Sequence, residues 1–124
     1  MKWEKCSSEL SDIISVAMAV VPAQKRMMFG CPAYFVNGNM FAGVHQSNII
    51  LRLCESDREL ISRQFDEARV FEPFPGRLMK EYIAVPSAVY DRPEIFAEWI
   101  GKALTNASAL PNKLSGSRLK KKEK

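Results

Sequence analysis

The dipeptide Asn37-Gly38 constrains this chain more than any other short feature. It stands between two runs of aromatic and branched residues within 33–45 (AYFVNGNMFAGVH). Asn-Gly is the preferred pair for a two-residue type I′ turn, because both central positions need a positive φ. Such a turn sets three pairs of residues opposite each other: Val36 with Asn39, Phe35 with Met40, and Tyr34 with Phe41. The sequence therefore predicts an antiparallel hairpin at this position.

Apolar residues at helical spacing predict a helix near each end of the chain. In residues 3–21, from Trp3 onward, the apolar positions recur every three or four residues until Pro22. A second such stripe covers 95–110 and follows Pro93, which suits the first turn of a helix. Between them, Ser56-Asp57-Arg58-Glu59 matches a capping box and predicts a helix over 57–67 with Ser56 as its N-cap.

Further strands are expected at 27–29, 48–54 and 80–85, whereas two prolines and a glycine in 71–78 (FEPFPGRL) indicate a loop. The strands are grouped and do not alternate regularly with helices. This order favours an α+β fold: a mostly antiparallel sheet of four to five strands with N-terminal, middle and C-terminal helices.

Both faces of the predicted sheet are apolar. The hairpin places Tyr34, Val36 and Phe41 on one face and Phe35, Met40 and Ala42 on the other, and 49–54 also carries apolar residues on both sides. In a sheet with one solvent-exposed face, polar and apolar residues would alternate along each strand. Either the helices cover both faces or the second face meets a partner, and we expect a symmetric homodimer, the commonest closed assembly.

The basic character of the chain belongs to its last twelve residues. The net charge is +4, but 113–124 (KLSGSRLKKKEK) holds six basic residues and one acidic residue, so the other 112 residues have a net charge of −1. We expect a domain over 1–112 and a disordered basic tail over 113–124. Weak, non-specific contact with nucleic acid is expected from the tail, through Arg118, Lys120, Lys121, Lys122 and Lys124. A solubilising role of the tail is the alternative.

Cys31 and His45, the only histidine, offer a possible nucleophile and base. No third residue to orient them is evident, so packing is the favoured interpretation and no catalytic residue is assigned. The three cysteines show no metal-ligand spacing, no metal or cofactor is expected, and free thiols suit a reducing cytoplasm. No apolar run is long enough to cross a bilayer, so no membrane partner is expected.

Four residues could form a polar surface site for a carboxylate or phosphate: Arg52, Arg77, Lys80 and Tyr82. The competing interpretation is that Arg52 pairs with Glu55 or Glu81 and that the other cations are solvated, since exposed cations usually do no more.

Several segments in order resemble the TfoX (Sxy) N-terminal domain family. They are Met28-Phe29-Gly30, Tyr34, Gly38 and Met40-Phe41-Ala42, followed by ILRL, FEPFPGRLMKEYIAVP and the ending ALPNK. The resemblance covers roughly residues 5–112. It implies a compact α+β fold and a relation to regulators of competence genes, which act in bacteria with a cyclic-AMP receptor protein on DNA. In those full-length members a helical C-terminal domain follows, whereas we expect a stand-alone version without that domain here, and the resemblance carries over no catalytic residue.

The sequence thus favours a small regulatory or interaction module, with a role in transcription as the finer expectation. The alternative is a small enzyme or anion-binding protein with a pocket around Arg77, Lys80 and Tyr82.

Overall fold

A computed structural model of the chain describes residues 6–28 and 30–110, which form ten elements in sequence. The four helices are α1 (Ser8–Met18), α2 (Glu55–Gln64), α3 (Ser87–Tyr90) and α4 (Pro93–Ser108). The six strands are β1 (Gln24–Met28), β2 (Cys31–Val36), β3 (Asn39–His45), β4 (Asn48–Arg52), β5 (Arg69–Phe74) and β6 (Arg77–Val85).

The strands form one antiparallel sheet in the order β1-β2-β3-β4-β6-β5. The expected α+β class is confirmed, with six strands where four to five were predicted. The edges of the sheet are β1 and β5. Trp3 and Phe29, which belonged to the predicted first helix and first strand, lie outside the described residues.

The Asn37-Gly38 hairpin forms with the positive φ values that its turn requires, 54° and 76°. Val36 faces Asn39 and Phe35 faces Met40, as predicted. The third predicted pair is wrong, because Tyr34 lies opposite Ala42 and Phe41 is the extra residue of a β-bulge. The bulge brings both Phe41 and Ala42 into the main core, so Ala42 does not share a face with Met40 as predicted.

Helix α4 follows its sequence signal closely, whereas α1 covers only Ser8–Met18 and is shorter at both ends than the predicted 3–21. Ser7 is the N-cap of α1, and its hydroxyl accepts a hydrogen bond from the Leu10 amide at 3.2 Å. Helix α4 begins at Pro93, and its apolar stripe is buried at Phe96, Trp99, Ile100, Ala103 and Ala107. The described part of the chain ends at residue 110, so Pro111 lies beyond it.

The middle helix begins earlier than predicted. Cys54, not Ser56, is the N-cap of α2, and its side chain makes no capping hydrogen bond. Starting at Glu55 places two carboxylates, Glu55 and Asp57, in the first turn, where the helix dipole favours negative charge.

The loop predicted at 71–78 is wrong, because most of this segment belongs to the hairpin of β5 and β6. Only Pro75 and Gly76 make the turn, and Gly76 has a φ of 85°. The Gly76 amide donates to a Glu72 carboxylate oxygen at 2.7 Å. Pro73 is accommodated because β5 is an edge strand, where a missing amide donor need not break the ladder.

The main core lies between one face of the sheet and all four helices. Register places Ala42, Leu51 and Ile83 side by side on this face, and each is at most 2% exposed. The helices contribute Leu10, Ile14, Met18, Ile61, Val89, Phe96, Trp99, Ile100, Ala103 and Ala107 to the same cluster. We call this the helix face of the sheet.

Candidate functional site

The other side of the sheet carries no helix within residues 6–28 and 30–110, and we call it the open face. Register brings Ala33, Gly43 and Ile50 next to one another there. Ala33 and Ile50 are buried, yet neither belongs to the cluster that the helices cover. Side chains of the sheet itself are among the groups that cover this part of the face.

Met40 supplies part of that cover. A Cβ atom added to Gly43 would lie 2.7 Å from the Met40 methyl carbon, so the Met40 side chain lies directly over the glycine. Glycine allows this close approach on the strand, and it keeps the centre of the open face shallow.

Aromatic rings occupy the flanks of the open face. The Arg26 guanidinium lies 5.1 Å from the centre of the Phe35 ring, and the Arg52 guanidinium lies 5.7 Å from the centre of the Tyr82 ring. Both arrangements are cation–π contacts. The face therefore presents apolar and aromatic area bordered by guanidinium groups.

Arg52, one of the four predicted anion contacts, is held by a carboxylate. Its guanidinium meets Glu81 Oε1 through Nε at 2.7 Å and through Nη2 at 2.6 Å. The Tyr82 hydroxyl donates to the Met40 carbonyl oxygen at 3.1 Å. Burial raises the pKa of Tyr82 above its ordinary value, a shift that Arg52 opposes, so the phenol is neutral at physiological pH.

The other two predicted anion contacts, Arg77 and Lys80, are exposed on β6. Lys80 lines an open depression of about 350 Å³ together with Met79, Glu81 and Tyr82. Arg77 does not line this depression. The structure thus brings Arg52 and Tyr82 together and places Lys80 near them, but a carboxylate already stands among these groups.

The side chains of Cys31 and His45 make different contacts. Burial, and next the neighbouring Cys6 thiol, raise the pKa of Cys31 to about 11, so its thiol is protonated at neutral pH. The His45 ring meets the Phe71 ring edge-on, with 5.0 Å between ring centres. Cys6, Cys31 and Cys54 are free thiols.

An open groove between the start of α2 and the length of α4 has no counterpart in the sequence predictions. It encloses about 520 Å³ and is lined by Cys54, Asp57, Glu98, Gly101, Lys102, Thr105, Asn106 and Ala109. The signal that could have revealed it is the recurrence of small residues at Gly101, Thr105 and Ala109, one turn apart on the polar side of α4.

The predicted nucleic-acid contacts, Arg118, Lys120, Lys121, Lys122 and Lys124, lie outside the described residues. Within the described ranges, no cluster of three or more His, Cys, Asp or Glu side chains could hold a metal ion. None of the helices seen in those ranges combines the length and apolar character that crossing a bilayer requires.

The fold and its surfaces define a small two-layer α+β domain with four helices on one side of an antiparallel sheet. The sequence profile of the TfoX N-terminal domain family matches residues 16–107, and the chain belongs to this family. The match supports a competence-regulator-like module. No curated protein matches the chain.

Proposed function

We propose that this protein is a regulatory interaction module whose open face binds other proteins, and that its first partner is a second copy of itself. The single observation that carries the proposal is the open face: a six-stranded sheet with apolar and aromatic side chains and no helix over it in the described part of the chain. Contiguous apolar surface of this kind commonly marks an interaction site.

The dimensions of the face suit a dimer. Six strands spaced about 4.8 Å apart and about six residues long on average cover roughly 600 Å² in projection. A standard interface buries about 800 Å² on each partner, so most of the open face would be used. A two-fold axis through it would cover the same patch on both copies, and this symmetry closes the assembly at two.

A substitution at Phe35 tests this assignment. Phe35 is half-buried on the open face beneath Arg26. We expect Phe35→Asp to shift the protein from dimer to monomer in sedimentation velocity at micromolar concentration, because it places a charge in an apolar interface. The matched control is Val20→Asp, at a residue that follows α1 and is 90% exposed. A wild-type protein that is monomeric at high micromolar concentration would refute self-association.

The regulatory part of the proposal is that the dimer acts in the cytoplasm as a transcription co-regulator. Membership of the TfoX N-terminal domain family and the three free thiols support this assignment. A pull-down from native lysate, with and without residues 113–124, tests it. Capture of transcription proteins by both forms is the expected result, and their absence from both would contradict the regulatory role.

Anion binding at Arg77, Lys80 and Tyr82 stays a prediction. The depression beside Lys80 is its structural support, and the nearby Glu81 weighs against it. Calorimetric titration with inorganic phosphate, comparing the wild type with Arg77→Gln/Lys80→Gln, would decide between the two functions.

A further inference from the structure

We propose that the groove between α2 and α4 binds the chain's own basic segment, residues 113–122, and that this intramolecular contact masks the basic residues from polyanions. The groove lies on the helix side of the molecule, so the inference is independent of the open face and its dimer.

The charges in the groove favour a basic occupant. Asp57 and Glu98 both line it, and neither carboxylate has an ion-pair partner within 4.0 Å among the described residues. Lys102 is the one cation in the lining, and its ammonium group lies over the Trp99 ring at 5.5 Å from the ring centre. The two carboxylates therefore remain available to a cation that enters the groove.

The groove is also lined by four small residues, Cys54, Gly101, Thr105 and Ala109. A Cβ atom built on Gly101 would meet no atom within 4 Å, so the groove has room for an apolar side chain at this position. The segment 113–122 (KLSGSRLKKK) carries two leucines, Leu114 and Leu119, among its basic residues. A groove lined by small residues and two carboxylates matches this composition.

The connection is short enough for the segment to reach the groove. From Ala109 back to Glu98 is 11 residues along α4, or about 16 Å. Residues 111 and 112 (Pro-Asn) suit a reversal of the chain, and the six residues from Lys113 to Arg118 span up to about 20 Å when extended. This length is enough for Arg118 to reach Glu98 and for Leu114 to reach Thr105.

The native Cys54 thiol reports on this contact, because it lines the groove and is partly exposed. The test is alkylation of the full-length protein by iodoacetamide at neutral pH, followed residue by residue with mass spectrometry. The wild type is compared with the full-length variant Arg118→Glu/Lys120→Glu/Lys121→Glu. Cys6 is the internal control, because it is also partly exposed but does not line the groove.

We expect the tail variant to speed alkylation of Cys54 about fivefold at about 50 mM salt, the effect of releasing two surface ion pairs of ordinary strength. Cys6 should react at an unchanged rate. At about 0.5 M salt, the wild type and the variant should converge, because screening releases the segment in both.

The direction of the change separates docking from simple electrostatics. If the segment does not occupy the groove, replacing its cations by anions leaves Cys54 unchanged or slows it, because negative charge disfavours the reactive thiolate. Either result overturns the proposal. Protection of Cys54 that increases with protein concentration in both forms would also overturn it, because the occupant would then be a second copy.

A second measurement tests the masking itself by duplex DNA binding. The groove variant Asp57→Asn/Glu98→Gln should bind about fivefold more tightly than Asp66→Asn/Glu67→Gln, which has the same net charge and lies outside the groove. Equal affinities of the two variants would contradict masking.

Discussion

Replacing Gly101 by Ala should stabilise the protein. Gly101 lies inside α4, which runs from Pro93 to Ser108, and an added Cβ atom would meet nothing within 4 Å. The substitution therefore introduces no steric conflict and removes the conformational freedom that glycine has in the unfolded chain.

The gain follows from helix propensity alone. Alanine exceeds glycine by about 0.8–1.0 kcal/mol in a helix interior, and a domain of this size converts that into a Tm about 4 °C higher. Urea denaturation followed by circular dichroism measures the change, which should appear as a higher midpoint with an unchanged slope.

The matched control is Gly43→Ala, the same chemical change at a site with no space. Its Cβ atom would lie 2.7 Å from the Met40 methyl carbon and 3.2 Å from the Pro32 carbonyl oxygen. The methionine can move, but the backbone carbonyl is fixed in β2, so we expect a loss of about 1–2 kcal/mol. A loss of stability in Gly101→Ala would refute the reasoning, because helix propensity alone predicts a gain.

Three further outcomes follow from contacts and charges described above. Tyr82→Phe removes the hydrogen bond to the Met40 carbonyl and should lower the free energy of unfolding by about 1 kcal/mol in urea titration, whereas no change would show that the bond contributes nothing. Because burial raises the pKa of Cys31 from 9.0 to about 11, the native state keeps a proton that the unfolded chain releases. That contribution is fully present below pH 9.0 and is lost as the pH rises to about 11, by up to about 3 kcal/mol, and Cys31→Ala should lack this part of the decline. Equal declines in the two proteins would contradict the assignment. If the tail neutralises about four phosphates, duplex DNA binding should show a log–log salt slope of about −3.6 and fall by roughly 100-fold between about 50 and 200 mM salt, and a chain ending at Pro111 should barely bind. Equal binding by the shortened chain would move the determinant to the folded part, with Arg52, Arg77 and Lys80 as the first residues to mutate.

The parts of the fold that the sequence predicted well are those set by local chemistry. Asn37-Gly38 determined its turn, and Pro93 with the apolar stripe behind it determined α4. In each case a few neighbouring residues suffice, because the required φ values and the helical period are properties of the local chain.

The errors come from features that depend on residues distant in sequence. The bulge at Phe41 arises because Tyr34 pairs with Ala42, and it reverses the predicted face of Ala42. The segment 71–78 looked like a loop because Pro73 is unfavourable in most strands, and only its position at the sheet edge makes it acceptable.

The candidate surfaces, like the fold, could be predicted from the sequence only in part. The pairing of Arg52 with a carboxylate was one of two interpretations that the sequence allowed, and the register beside β6 provides Glu81 as the partner. The groove between α2 and α4 could not be derived from the sequence, because it exists only where Cys54 and Asp57 approach a helix forty residues away.

The two edges of the sheet differ in regularity, and this difference limits how the protein can aggregate. β1 pairs with β2 in unbroken register, whereas β5 pairs with β6 through two irregularities and contains a proline. A fibre built by sheet extension needs one edge of a molecule to continue into the other edge of the next. At β5 the irregular backbone is a poor partner for a further strand. At β1, pairing of two copies would place Lys25 and Arg26 of one copy next to the same positive charges of the other. An apolar sheet face therefore occurs together with two sheet edges, β1 and β5, that both disfavour the addition of strands from other molecules.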